Sequence, residues 1–378
     1  MQDNKLKVAM IGHKHIPSRE GGVEIVVEEL STRMVERGID VTCYNRSGKH
    51  ALDKDQKVKK IKEYNGVKLK KVFTIDKKGL AAMTSSFFGS IKILFSQNNI
   101  VHFHAEGPST MLPIIKFFSQ KKIIVTIHGL DWQRAKWGSF ATNYIKFGEK
   151  MAVKYADEII VLSENVKKYF LEAYNRDTHF IPNGVNKPEI KQTKMLEEKY
   201  NLKKDNYILF LGRIVPEKGI HYLIDAYKQI KTDKKLVIAG GASDTSSYYQ
   251  KLIDSSKDYE NIIFTGFIQG QALEELYSNA YIYTLPSDLE GMPLSLLEAM
   301  SYKNCCLTSD IPECQTVIEN KGITFKKSNV EDLKDKLQYL IDNTDIVKKY
   351  KNEAQEYVLE KYNWDKVVED TLKLYKSR

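Results

Sequence analysis

The sequence predicts an α/β protein built from two doubly wound, Rossmann-like domains. Three observations carry this. Short apolar runs, several ending in glycine, alternate with helical stretches along the chain. The alternation fades near residue 186 and begins again at Tyr207. At 378 residues the chain is too long for one ordinary core and suits two.

Lys7-Val-Ala-Met-Ile-Gly12 is an apolar run closed by glycine and predicts a buried parallel strand. From Gly22 to Arg37 the residues Val23, Val26, Val27, Leu30 and Met34 share one helical face, and Gly38 is placed to end that helix. Val41–Tyr44, Asn99–His104, Lys122–His128 and Glu158–Ser163 predict further strands with helical stretches between them. Ile181-Pro-Asn-Gly-Val185 is a turn-rich end to this first set. The polar, lysine-rich stretch Asn186–Asp205 predicts a linker with a short helix. The second set has strands at Tyr207–Gly212, Lys235–Gly240, Asn261–Gly266, Ala280–Leu285 and Cys305–Thr308, and the stretch Val330–Ser377 predicts helix throughout. Ligands in such sheets sit at the carboxyl ends of the strands. Two domains facing each other across a cleft would therefore bring two ligands together, as a group transfer requires.

Composition narrows the class. Hydrophobic content of 42% and charged content of 28% are those of a soluble globular protein. The polar start, Met1 to Lys7, runs straight into a strand and predicts no secretory signal. No apolar run reaches the roughly 18 residues that cross a bilayer. Cys43, Cys305, Cys306 and Cys314 have no C-x-x-C spacing, so neither a metal site nor a disulfide framework is expected, and a reducing cytoplasm fits. The fingerprint G-x-G-x-x-G is missing after the first strand, which continues Gly12-His-Lys-His-Ile-Pro17, so a dehydrogenase is not indicated. A phosphate loop of the form G-x-x-x-x-G-K-[ST] is missing as well.

The chemistry concentrates in the second half. Asp288-Leu-Glu-Gly-Met-Pro-Leu-Ser-Leu-Leu-Glu298 follows a strand, and Gly291 and Pro293 break regular structure before Leu294–Met300 turns helical. Gly291 to Leu294 thus falls at a helix N-terminus, where free N–H groups favour an anion. Glu290 and Glu298 are carboxylates suited to vicinal hydroxyls of a sugar or ribose. On spacing alone they could equally be a first-turn acid and a surface acid. Gly212-Arg213-Ile-Val-Pro-Glu-Lys218-Gly219 follows another strand, and Arg213 and Lys218 can converge on a diphosphate.

Arg213…Lys218 followed by Glu290-Gly-x-Pro-Leu…Glu298 resembles glycosyltransferase family 4, the retaining GT-B enzymes with an E-x7-E motif. The resemblance extends over nearly the whole chain, through Gly21-Gly22-Val23-Glu24, His128, Ala156–Ser163 and Pro182-Asn183-Gly184-Val185. The opening segment looks most like the capsule and cell-wall rhamnosyl- or galactosyltransferases. The resemblance implies an acceptor-side domain at 1–186, completed by the last helix at about 360–378, and a nucleotide-sugar-binding domain at 187–359. It implies that Arg213 and Lys218 hold the donor diphosphate, Glu298 the ribose, and Glu290 the transferred sugar. Gly291, Met292, Pro293 and Leu294 would line the sugar and phosphate site, and the backbone near Gly266 and Phe267 the base. Gly21 and Gly22 would let backbone approach the donor phosphate, and His128 would be the active-site histidine. Met292 stands where the family often has an aromatic. No metal or other cofactor is required on this reading; the substrate is a UDP-, dTDP- or GDP-linked sugar.

The acceptor would be a saccharide or a lipid-linked saccharide in surface-polysaccharide synthesis. A nucleotide-sugar 2-epimerase, a soluble small-molecule transferase, or an inactive scaffold of the same fold are the alternatives. The first 186 residues carry 30 Lys and Arg against 19 Asp and Glu, with eleven lysines between Lys49 and Lys78. An apolar, aromatic stretch to Phe95 follows. This segment reads either as a surface that rests on an anionic membrane or as a solvated lysine-rich hairpin before a core helix. A cytoplasmic chain, peripheral on the inner face of the membrane, is one expectation; nucleic acid is not. Asp53-Lys-Asp55 spells D-x-D but lies in the lysine-rich loop and is not expected to bind metal.

Overall fold

The computed structural model describes residues 6–48, 61–77, 79–134, 138–241 and 246–377, and the backbone alone at Ser246. Asp53, Asp55 and the lysines at 49, 54, 57, 59, 60 and 78 lie outside the described residues. The chain divides into two compact units, Met1–Asn183 with Trp364–Arg378, and Gly184–Asn363.

The first unit is a sheet of strands β1 (Lys7–Ile11), β2 (Asp40–Arg46), β3 (Glu63–Tyr64), β4 (Val67–Val72), β5 (Ile100–His104), β6 (Lys122–Ile127), β7 (Glu158–Val161) and β8 (His179–Phe180). Among the described residues their order is β3-β4-β2-β1-β5-β6-β7-β8, parallel except for the β3–β4 hairpin. Asn65 and Gly66 both take positive φ (46° and 78°), the conformation a two-residue hairpin turn demands. Its helices are α1 (Gly22–Glu36), α2 (Leu80–Leu94), α3 (Glu106–Ser109), α4 (Leu112–Phe118), α5 (Ser139–Tyr155) and α6 (Glu164–Tyr174). Ser163 caps α6 by accepting from the Val166 N–H at 3.3 Å, and Asn175 closes it in the left-handed conformation. Right-handed crossovers put α2, α4 and α5 on one face of the sheet. On the other face, α1 packs against a helix from the far end of the chain.

The second unit has strands β9 (Tyr207–Leu211), β10 (Lys235–Ala239), β11 (Ile262–Gly266), β12 (Ile282–Leu285), β13 (Cys305–Ser309) and β14 (Ile323–Phe325), all parallel, in the order β11-β10-β9-β12-β13-β14. Its helices are α7 (Met195–Tyr200), α8 (Ile220–Tyr227), α9 (Ser246–Ser256), α10 (Gln271–Asn279), α11 (Leu294–Ser301), α12 (Pro312–Ile318), α13 (Val330–Asp342) and α14 (Thr344–Lys361). The last helix, α15 (Trp364–Lys376), returns to the first unit. Asp365 meets Arg37 at 2.6 Å and Arg33 at 3.4 Å, and the Tyr375 hydroxyl lies 2.7 Å from His102 Nδ1.

One expectation needs correcting. Val330–Ser377 is not one helical run but three helices, broken at Asn343 and again at Tyr362–Asn363. The second break has a physical cause: the Tyr362 carbonyl leaves the helical ladder to accept the Val185 N–H at 2.8 Å, and its hydroxyl donates to the Thr316 carbonyl at 2.9 Å. Among the described residues no helix is long and apolar enough to cross a membrane.

Candidate active site

In the second unit the chain reverses direction between β9 and β12. From β9 the chain steps outward to β10 and β11, then returns past β9 to β12. A doubly wound sheet opens a crevice at such a switch point. The two loops that rim it are Gly212–Gly219 and Pro286–Pro293, which hold the sequence-predicted Arg213, Lys218, Glu290, Gly291, Met292 and Pro293.

Backbone contact draws these two loops together. Gly219 has φ +65°, and a Cβ there would lie 2.0 Å from the Pro286 carbonyl oxygen, so only glycine fits. The Asp288 N–H donates to the Glu217 carbonyl at 2.9 Å, and the Tyr222 hydroxyl donates to Asp288 Oδ2 at 3.2 Å. In consequence Lys218 Nζ donates to Glu290 Oε1 at 2.5 Å, and the Ser287 hydroxyl donates to the same oxygen at 2.6 Å. Both charged side chains are mostly buried, at 15% and 9% exposure. A close pair at that depth holds strongly only when further hydrogen bonds satisfy it, and Ser287 supplies one.

Beyond Glu290 the chain enters α11. Pro293 is its N-cap residue and no side chain caps it, so the first-turn N–H groups point outward beside Glu290. Glu298 lies in the second turn, where Tyr277 donates to its Oε2 at 3.0 Å. Tyr283 in turn donates to Ser295 Oγ at 2.8 Å. Met292 and Leu294 are only partly buried and rest against the unit's core. Arg213 is half-buried directly after Gly212.

Glycines close the neighbouring strands as well. Gly240 has φ +153°, and a Cβ there would lie 1.8 Å from the Gly212 carbonyl. Gly266 ends β11 at φ +71°, with open space where its Cβ would be, and Phe267 beside it is exposed. Three adjacent strands thus end in glycine, leaving backbone unobstructed beside the crevice.

The first unit has its own switch point, between β1 and β5. Gly12 (φ +112°) lets the end of β1 press on the His104 backbone, since a Cβ would come 2.3 Å from that carbonyl. His13 Nε2 lies 2.9 Å from Asn45 Oδ1, and His104 Nδ1 lies 3.1 Å from His128 Nε2. Burial pushes the His13 and His128 pKa down to about 4, and His102 to about 3; His104 falls well below its usual value for the same reason. His128 is therefore a neutral imidazole at pH 7, with one ring nitrogen engaged by His104. It can exchange hydrogen bonds with a hydroxyl, but it is not a ready acid.

Gly21 is the N-cap residue of α1, which has no side-chain cap. Glu24 folds back over it, and its Oε1 accepts the Lys14 N–H at 2.8 Å. Burial would raise the Glu24 pKa, but the Lys14 amide and charge and Arg46 outweigh it and hold it low. Gly22 is exposed in the first turn. At the start of α3, Glu106 is fully buried and accepts the Asp131 N–H at 3.1 Å, and its Oε2 has no partner among the described residues. Burial, with Asp131 nearby, raises its pKa well above the usual range.

Sequence reasoning did not single out Ser287, Tyr277, Tyr222, His13 or Glu106. The spacing of Ser287, three residues before Glu290, carries a signal. Tyr277 carries none, because it reaches Glu298 from α10.

Family models match both units. Residues 20–187 match Glycosyltransferase Family 4, and residues 192–357 match Glycosyl transferases group 1. The chain is 24% identical over 392 residues to an uncharacterized glycosyltransferase of Methanocaldococcus jannaschii, covering 98% of each. It is 27% identical over 260 residues to the O-antigen chain mannosyltransferase RfbU of Salmonella typhimurium, covering 65% of this chain and 71% of that one. The solved structure of Anabaena HepE in complex with UDP and glucose superposes with a TM-score of 0.81 at 14% identity, over 97% of this chain and 98% of that one. The fold is the GT-B class that the sequence predicts, with two parallel-sheet α/β units. With a family match across each of its two units, the chain belongs to the glycosyltransferases of family 4 and group 1.

Proposed function

We propose that the chain is a retaining glycosyltransferase that moves a sugar from a nucleotide-sugar donor to a saccharide or lipid-linked saccharide during surface-polysaccharide synthesis. The observation that carries this is the Lys218–Glu290–Ser287 cluster beside the uncapped start of α11, at the switch point of the second sheet. A diphosphate would draw Lys218 from Glu290 and accept the α11 N–H groups. Arg213 would add a second cation. Glu290, released, would accept hydroxyls of the transferred sugar, and Glu298, held by Tyr277, those of the ribose.

In the reaction the bond between the sugar's anomeric carbon and the diphosphate oxygen breaks, and a bond to the acceptor oxygen forms on the same face. The acceptor's proton passes to the departing oxygen. Lys218, Arg213 and the helix terminus stabilise the charge that develops there. Glu290 positions the sugar and forms no covalent bond. His128, neutral, offers a hydrogen bond to a sugar hydroxyl. The O-antigen relative and the neighbour solved with UDP and glucose support the polysaccharide setting and the donor class.

The test is turnover. The purified chain is given UDP-, dTDP- and GDP-sugars with soluble or lipid-linked saccharides. Nucleoside diphosphate is assayed, and the product's anomeric configuration is read by NMR. The proposal expects acceptor-dependent release from one donor, with configuration kept. An inverted product, or conversion of the donor without any acceptor, would overturn it.

A further inference from the structure

Three imidazoles stand in a column at the carboxyl ends of β5 and β6. His102 stacks on His104 with ring centroids 4.3 Å apart, and His104 on His128 at 5.3 Å. His102 and His104 have no exposed surface, and His128 is partly buried. Apolar side chains would fill this space without the cost of burying ring nitrogens. What the nitrogens do is therefore the question.

The inner end of the column is closed. His102 Nδ1 lies 2.7 Å from the Tyr375 hydroxyl of α15, and its Nε2 lies 2.7 Å from Thr126 Oγ1. Both nitrogens of His102 are thus engaged, and it meets His104 with its face. Burial keeps all three rings neutral, so each carries one N–H and one bare nitrogen.

The outer pair has two ways to share its hydrogens. His104 Nδ1 lies 3.1 Å from His128 Nε2, and His104 Nε2 has no partner among the described residues. If His128 gave the hydrogen, His104 would carry its own on Nε2, a fully buried N–H with nothing to receive it. If His104 gives it from Nδ1, only a bare ring nitrogen is left unpartnered. An orphaned buried N–H is the rarer defect. With His104 as the donor, His128 Nε2 accepts and the hydrogen of His128 sits on Nδ1, because the bond at one ring nitrogen fixes the state of the other. That is the minor form of free histidine, so a ring left to itself would not hold it.

We propose that His104 is a positioning residue that locks His128 as an Nδ1–H donor toward an oxygen of the bound sugar. The inference rests on the reading of His128 as the residue that meets the sugar. Two measurements on the full chain test it. The first is nitrogen-15 NMR of the imidazoles at pH 7, with the His128 signals identified by their loss in His128→Gln. The parent shows His128 protonated at Nδ1 and bare at Nε2. In His104→Leu the ring reverts to the common Nε2–H form. The second is turnover with a donor that the parent uses. His104→Leu lowers kcat by about tenfold or more, the worth of one well-placed hydrogen bond, and leaves affinity for the nucleoside diphosphate alone unchanged. His104→Asn, whose amide N–H falls near the place of Nδ1, restores the Nδ1–H form and most of the lost turnover. Lost packing alone would not be rescued in this way. A parent with His128 in the Nε2–H form overturns the proposal, and so does a His104→Leu chain with the parent's kcat. A parent that transfers no sugar sinks the transferase reading instead, while the ring signals still decide the pairing.

Discussion

At the scale of single residues, the candidate site is built on a buried ion pair whose partners come from two different loops. Lys218 and Glu290 are 72 positions apart, joined at 2.5 Å. Replacing either by alanine leaves the other charge buried and unpaired, at a cost of about 3 kcal/mol. Lys218→Ala is also expected to lower turnover by about 100- to 1,000-fold, as when a donor aimed at developing charge is removed. The double variant should cost less stability than the two single losses added together, because the orphan disappears. Calorimetric melting of the three variants checks this, and strictly additive losses would contradict the pairing. Arg213, Lys218 and Glu290 stand out in the sequence because they fall in loops that follow apolar strands, and Glu298 because of its spacing from Glu290. Tyr277 does not, because what fixes its role is the packing of α10 on α11. His104 was only half legible. Its place at a strand end was clear, but its partnership with His128 depends on β5 and β6 lying side by side.

At the scale of elements, glycines decide where loops meet. Gly219 allows the β9 loop to touch the β12 loop, which is what places Lys218 on Glu290. Gly219→Ala would have to take φ +65° and still clear the Pro286 carbonyl. That costs about 2 kcal/mol or more and moves Lys218 off its partner. Donor affinity should therefore fall along with the melting temperature, although the new methyl touches no ligand. Unchanged affinity would show that the loop contact does not set the site. The strands of both central sheets were legible because apolar runs closed by turn residues are local signals. The short β3, β8 and β14 were not, since two or three residues carry no period, and β4 reads only as part of a lysine-rich hairpin, because three lysines interrupt its apolar residues. The helical run at the C-terminus misled for a related reason: a break forced by Val185, far off in sequence, leaves no local mark.

At the scale of the whole molecule, the first unit holds several histidines that stay neutral. His13, His102, His104 and His128 all have lowered values in the folded chain, through burial. Between their unfolded value near 6.5 and a folded value of about 4, the unfolded chain binds protons that the native chain refuses. Stability therefore rises with pH across that window and is lost as pH falls through it, by about 1.4 kcal/mol per pH unit for each such group. Glu24, held low, acts with the same sign. Glu106, held protonated, acts with the opposite sign but is one group against several. The melting temperature should fall steeply from about pH 6.5 to about pH 4, and a flat profile would contradict the buried-histidine cluster. The central claim, that the second unit binds a nucleotide-sugar between its β9 and β12 loops, is tested most directly by calorimetric titration. UDP-, dTDP- and GDP-sugars are titrated into the full chain, into Lys218→Ala and into Glu298→Ala. The account expects one donor to bind the parent chain, and each variant to bind it at least about tenfold more weakly, the loss of one charge-assisted hydrogen bond. Equal affinity in all three proteins, or no binding of any donor to the parent, would contradict it.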